Sequence, residues 1–226
     1  MNNENVVIAK IRTDFPEKFG IPRQSGLVSS LSGIVYFEPE YRNPDAVKGL
    51  EGFSHIWLLW KFDVEKKNGW TATVRPPRLG GNTHMGVFAT RSPYRPNSIG
   101  LSCVELKKIE YSADGPLLYV QGADLRDNTE IIDIKPYLPY ADAYPEAKAG
   151  WAGEQFGKSL EVLFDTEAPK EFTKDDLKTL EELLALDPRP AYQEDPDRIY
   201  GMKYRSYEIR FYVKSNQLHV VSISKE

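Results

Sequence analysis

Four arginines stand among four prolines and four glycines between Arg75 and Gly100, RPPRLGGNTHMGVFATRSPYRPNSIG. Proline fixes the backbone, and glycine lets it come close to a ligand. Guanidinium groups on such a preorganised loop suit phosphates and planar anions, although rigid structural turns share this composition. The charge around the loop adds to the signal. From Lys66 to Val104 there is no Asp or Glu, while Lys66, Lys67, Arg75, Arg78, Arg91 and Arg95 give +6 in a chain of net charge −4. A basic island in an acidic protein points either to an anion held at one place or to arginines paired with carboxylates elsewhere in the fold. His84 lies inside this island.

Carboxylates gather in a second segment, Gly122 to Tyr140, where Asp124, Asp127 and Asp133 flank a predicted strand. Carboxylates at a strand end can hold ribose hydroxyls or a metal, or do acid–base work. Asp is equally favoured at turns for its own hydrogen bonds. Arg23 and Gln24 precede a turn glycine in IPRQSGL, and Arg189 and Tyr192 sit in LDPRPAY after a predicted helix. The lone Cys103 reads as a small core residue on an alternating strand, and His55 as a strand residue within FSHIWLLW. Neither GxGxxG nor GxxxxGK[ST] occurs, so a nucleotide-like cofactor must be held in some other way.

These segments need elements to position them. Short runs rich in Val, Ile, Tyr, Phe and Trp, bounded by Gly, Pro, Asn or Asp, predict strands. They fall at Val6–Ile11, Ile34–Phe37, Phe53–Phe62, Gly86–Thr90, Leu101–Ile109, Leu117–Val120 and Ile131–Ile134. No sustained helical period interrupts them, although Pro39–Gly52 has room for one short helix. Strands without intervening helices favour a barrel or sandwich. Tyr137–Gly157, rich in Pro, Ala and Gly, reads as a connector. Beyond it, Leu160–Phe164 predicts a strand. Thr173–Leu186 predicts a capped helix with Leu177, Leu180, Leu183 and Leu184 on one stripe. Ser206–Val213 and Gln217–Ser224 predict a hairpin turning at Lys214-Ser215-Asn216. The expected architecture is mainly β: a barrel over residues 1–150 and a small α+β unit over residues 151–226.

Composition excludes several classes. One cysteine rules out an intramolecular disulfide framework, and three histidines without ligand spacing argue against a metal site. The longest apolar run, Ile56–Trp60, is far too short for a membrane span. MNNENVV does not look like a secretory leader, so a soluble cytoplasmic protein is expected.

Taken jointly, PRQSGLV (Pro22–Val28), GFSHIWLLW (Gly52–Trp60), VRPPRLGGNTHMGVFATRSPYRPNSIGLS (Val74–Ser102), the segment Gly122–Asp142 and LDPRPAY (Leu186–Tyr192) resemble the TsaA-like, TrmO-type tRNA methyltransferases. The resemblance implies a non-Rossmann β-barrel catalytic domain, a smaller C-terminal domain and a homodimer. It also implies methylation of N6-threonylcarbamoyladenosine beside the tRNA anticodon, with S-adenosylmethionine as donor. By resemblance, cofactor contacts fall on Pro22, Arg23, Gln24, Phe62, Asp63, Arg91, Leu101, Asp124, Leu125, Arg126 and Asp127. Arg75, Arg78, His84, Arg95, Arg189 and Tyr192 are left to meet tRNA. Asp63, His84, Ser98, Asn128 and Glu130 depart from the residues common at those positions in the family.

Methyl transfer is an in-line displacement at the sulfonium methyl, so catalysis rests largely on alignment and exclusion of water. The acceptor nitrogen, conjugated to a purine and a carbamoyl group, is a poor nucleophile while protonated and calls for a base or hydrogen-bond acceptor. Asp133, Tyr137 and Tyr140 are the candidates. The alternatives are an RNA-binding barrel without catalysis and a methyltransferase acting on another substrate.

Overall fold

The structure, a computed structural model, describes residues 5–63, 69–155, 159–189 and 195–225, apart from the side chains of residues 78, 154 and 155. Six antiparallel strands close a barrel. In chain order, the strands of the N-terminal part are β1 (Ala9–Thr13), β2 (Ser32–Phe37), β3 (His55–Lys61), the two-residue β4 (Thr73–Val74) and β5 (Met85–Gly86), β6 (Ile99–Ser112), β7 (Gly115–Gln121) and β8 (Thr129–Pro136). Around the barrel the order is β1-β2-β7-β6-β3-β8, with β4 and β5 paired separately beside it.

The period of two along each strand decides which side chains enter the barrel. Ile11, Val35, Ile56, Leu58, Val104, Leu118, Val120 and Ile131 are buried in one cluster. Closure leaves the six strands without the open edges that invite aggregation. The register of β3 against β8 shifts at Leu59/Trp60, and Trp60, on the same side as Ile56 and Leu58, packs partly buried against the barrel core. Cys103 faces outward and is half-exposed, whereas its neighbours Ser102 and Val104 are buried. The expected core position for this cysteine is therefore corrected.

Two local expectations also change. Gly86–Thr90 is not a strand: pairing stops after Gly86, and Val87–Ala89 forms a 3-10 turn held by Val87 N–H to the Ala72 carbonyl at 2.9 Å. Pro39–Gly52 forms three 3-10 turns in place of one helix, with prolines at the starts of the first two and Gly49 at φ 86° between the second and third.

After the four-residue helix α1 (Pro139–Asp142) come β9 (Glu161–Phe164), α2 (Lys174–Ala185), β10 (Tyr200–Tyr204), β11 (Tyr207–Lys214) and β12 (Gln217–Lys225). They make a sheet in the order β10-β11-β12-β9, with β9 parallel to β12. Thr173 and Asp176 form a reciprocal capping box at the start of α2. Leu180, Leu183 and Leu184 pack into a second core with Met202, Ile209, Phe211, Leu218 and Val220. The strand β10 was not expected, although Tyr200, Met202 and Tyr204 alternate inward as a strand should.

The two cores share one piece of chain. Phe15, Val28 and Leu31, from the loop joining β1 to β2, are buried in the second cluster and not in the barrel. The Arg205 amide donates to the Asp14 carbonyl at 2.7 Å, and the Thr179 hydroxyl donates to Ser30 at 2.8 Å. The loop that carries Pro22, Arg23 and Gln24 is thus braced from the C-terminal side. Among the described residues, no helix is long and apolar enough to cross a membrane.

Candidate active site

A cavity of about 460 Å³ opens where the β1–β2 loop, the end of β3, the arginine-rich loop and the start of β6 meet. Nine of the eleven cofactor candidates line it: Pro22, Arg23, Gln24, Phe62, Asp63, Arg91, Leu101, Asp124 and Arg126. The other two do not. Leu125 is buried in the barrel core, and Asp127 accepts from the Thr13 amide at 3.0 Å, fixing the turn into β8.

One wall is apolar. Trp60 and Phe62 rings lie 4.2 Å apart between centroids, beside Ile99 and Leu101. Trp60 reaches this position because its register partner is Gly100, where a methyl would run into the indole. Trp60 Nε1 then donates to the Ser102 hydroxyl at 3.0 Å, and Ser102 donates to Asp124 Oδ1 at 2.6 Å. Sequence reasoning missed Trp60, Ile99 and Gly100 as lining residues, although all three lie within the matched motifs.

Asp124 is the acidic group at the inner end of this chain of hydrogen bonds. Burial pushes its carboxyl up from the ordinary range. The Ser102 hydroxyl, the backbone amides of Asp124 and Ser25, and the Arg91 charge hold it back. Arg91 in turn donates from Nη1 to Gln24 Oε1. At the rim, Asp63 pairs with Arg126 at 3.0 Å and more loosely with Lys18 at 3.8 Å. The cavity therefore offers an apolar wall with two aromatic rings tilted 57° to each other, guanidinium groups for a carboxylate, and a buried carboxylate for an ammonium or hydroxyls. That donor set, and a volume inside the range of about 300–1,000 Å³ for small-molecule sites, fits a zwitterionic nucleoside.

The residues expected to meet nucleic acid separate into groups. Arg75 donates to His84 Nε2 at 3.0 Å on the exposed β4–β5 hairpin. Arg95 is not presented freely, as the sequence reading had it. Its guanidinium donates to the carbonyls of Ser92 (2.9 Å), Val87 (3.3 Å) and Thr90, bracing the loop at the cavity wall. Arg189 is likewise held, bidentately, by Asp187 at 2.8 and 2.9 Å. The Arg78 side chain and Tyr192 lie outside the described residues.

The acid–base candidates are not brought together. Asp133 pairs with Lys135 at 2.8 Å and lines a second cavity under the 3-10 turns. Tyr140 is exposed on α1. The Tyr137 ring packs on Trp57 at 5.7 Å. Trp57 pairs in register with Cys103, two residues along β6 from the cavity residue Leu101. Trp57 also donates to Asp142 at 3.0 Å. Burial and the Asp142 charge both raise the Cys103 thiol, which disfavours a nucleophilic role.

Comparison with known proteins agrees across the chain. Residues 10–143 match the family model of the tRNA-methyltransferase O N-terminal domain, and residues 157–226 match that of the TrmO C-terminal domain. A tRNA (adenine(37)-N6)-methyltransferase from Escherichia coli is 42% identical over 229 residues, covering 96% of this chain and 95% of the relative. A putative S-adenosylmethionine-dependent methyltransferase from Pseudomonas aeruginosa is 38% identical, covering 96% of each. The crystal structure of TrmO from Pseudomonas aeruginosa superposes with a TM-score of 0.80 at 31% identity, covering 100% of this chain and 98% of that one.

Proposed function

This chain belongs to the TrmO family of tRNA methyltransferases, and from that premise we propose that it methylates N6 of N6-threonylcarbamoyladenosine beside the tRNA anticodon. The methyl donor is S-adenosylmethionine, whose sulfonium supplies an activated methyl when bound. The observation that carries the reading is the convergence of Pro22–Gln24, Arg91, Leu101 and Asp124 on one cavity, from segments far apart in sequence.

Each residue then has a task. Arg91, oriented by Gln24, meets a carboxylate. Trp60 and Phe62 pack against a purine face, and Asp124, fixed by Ser102, receives ammonium or hydroxyl donors. Of the three acid–base candidates we favour Tyr137, whose ring packs on Trp57, to accept a hydrogen bond from the acceptor nitrogen. Asp133 is committed to Lys135 and faces another cavity. The work of the protein is alignment and exclusion of water, and the target base must leave the stack, which a single-stranded loop allows at modest cost. Action in the cytoplasm and assembly as a homodimer belong to the same proposal.

The test is transfer of labelled methyl from S-adenosylmethionine into tRNA from a host lacking this gene, followed by nucleoside analysis. Label in N6-methyl-N6-threonylcarbamoyladenosine is the expected result; label in plain adenosine, or none, overturns the assignment. In the same assay Tyr137→Phe is expected to lower kcat with cofactor affinity intact, whereas Asp133→Asn leaves kcat within about twofold.

A further inference from the structure

Three aromatic side chains stand unusually exposed beside the cavity: Trp70 at 49%, Phe88 at 74% and Tyr94 at 48%. The Trp70 and Phe88 rings lie nearly parallel, 23° apart with centroids at 6.3 Å. Solvent-exposed apolar rings of this size, set together, mark a surface that something covers.

Their support is rigid. Phe88 rides on the 3-10 turn Val87–Ala89, whose Val87 is buried. The Ala72 carbonyl fixes the Val87 amide at 2.9 Å, and Thr71 N–H reaches the Tyr94 carbonyl at 3.2 Å. Arg95 holds the carbonyls of Val87, at the start of the turn, and of Thr90 and Ser92 just after it, and the Trp151 indole donates to the Ala89 carbonyl at 3.0 Å. Phe88 is therefore presented by the loop, not left loose on it. Three and five residues further on, Arg91 and Pro93 line the cavity.

The charge of the segment chooses the partner. All three rings lie in the stretch from Lys66 to Val104 that contains no Asp or Glu, with exposed Arg75 on the neighbouring hairpin. Aromatic faces interleaved with cations and free of carboxylates suit unpaired nucleobases on a phosphate backbone, since every base has a π-face to stack. We propose that Trp70 and Phe88, with Tyr94 at their side, form a stacking platform for unpaired bases flanking the base that enters the cavity. This deepens the proposed function and rests on it. The platform holds the single-stranded loop while the acceptor base is out of the stack.

The experiment measures tRNA affinity of the full chain and its Phe88→Ala, Phe88→Leu and Phe88→Tyr variants at several salt concentrations. Cofactor affinity and oligomeric state are measured on the same samples. A stacked base is expected to give a loss of about tenfold in Phe88→Ala. Leu does not restore the loss and Tyr does. The slope of log affinity against log salt stays at the wild-type value, because no phosphate contact is lost, and cofactor affinity is unchanged. Arg75→Ala, by contrast, flattens the slope. Unchanged tRNA affinity in Phe88→Ala overturns the platform. A shift in oligomeric state in both Phe88→Ala and Phe88→Leu, with RNA affinity kept, assigns the patch to a second copy of this chain and also overturns it. Wild-type protein that binds cofactor but no tRNA removes the proposed function itself, and the platform with it.

Discussion

Asp124 is a carboxylate whose setting disfavours its own charge: burial raises it, and four partners only partly restore it. Such a group is tolerated where its charge has a use. Because its folded value lies above the ordinary carboxylate range, lowering the pH neutralises Asp124 before it neutralises an exposed aspartate. Cofactor affinity should therefore weaken on acidification before exposed aspartates begin to titrate. In Asp124→Asn, calorimetry should find weaker binding at neutral pH and little further change on acidification; a wild-type profile as flat as that of the variant removes Asp124 from the site. Arg91→Ala is expected to lose about tenfold or more in cofactor affinity through the missing charge-assisted hydrogen bond. The same assay at neutral pH checks it, and unaltered affinity refutes the assignment. At this scale, the sequence announced Arg91 and the Pro22–Gln24 segment through composition and motif. It did not announce that Arg95 and Arg189 are spent on carbonyls and on Asp187, because an arginine's type carries no record of its neighbour. Asn128, by contrast, is intelligible: at φ 61° it occupies the left-handed region that Asn tolerates better than most residues.

At the scale of elements, the barrel strands were legible because one face is apolar and the period of two has a single solution. The loop Val87–Ala89 was not, since its short run of Val, Phe and Ala reads like a strand while its hydrogen bonds go to Ala72 and Arg95. The pairing of Trp60 with Gly100 shows how β3 and β6 build the cavity wall together. A side chain at 100 and the indole ring require the same space. Gly100→Ala should accordingly force Trp60 away from Ser102, leave the Ser102–Asp124 pair without its indole donor, and cost about 1–3 kcal/mol of stability from overpacking. Chemical denaturation measures the cost, and loss of the Trp60 fluorescence change on cofactor titration reports the displaced wall. A variant that keeps both wild-type stability and cofactor affinity contradicts this account of the glycine.

On the scale of the whole molecule, the question is what keeps the Pro22–Gln24 arm over the cavity besides the barrel-side bonds just after it, from the Cys103 amide to Ser25 Oγ at 3.1 Å and from the Gly26 amide to the Gly122 carbonyl at 2.9 Å. The answer runs through Arg205, in the turn between β10 and β11. Its guanidinium reaches Asp14 at 3.2 Å, just past β1, and Asp176 at 2.7 Å, in the capping box of α2. One cation thus ties the start of the loop to the C-terminal unit, beneath which Phe15, Val28 and Leu31 are buried. Arg205, followed by the Thr173 amide, holds the Asp176 carboxyl down to about 2. Since the folded value is depressed below the ordinary one near about 3.9, the stabilisation is complete above that value and is lost as pH falls toward about 2. Denaturant midpoints measured across this acid window should fall more steeply in the wild type than in Asp176→Asn, which keeps an acceptor for the cap but has no charge to titrate. Arg205→Ala should lower stability at neutral pH by about 1–2 kcal/mol, a modest figure because the guanidinium is partly in solvent. It should also weaken cofactor binding, because the arm bearing Arg23 and Gln24 loses its brace. If Arg205→Ala destabilises the chain and leaves cofactor affinity untouched, the C-terminal unit stabilises the loop without positioning the site, and the arm is held by the barrel alone.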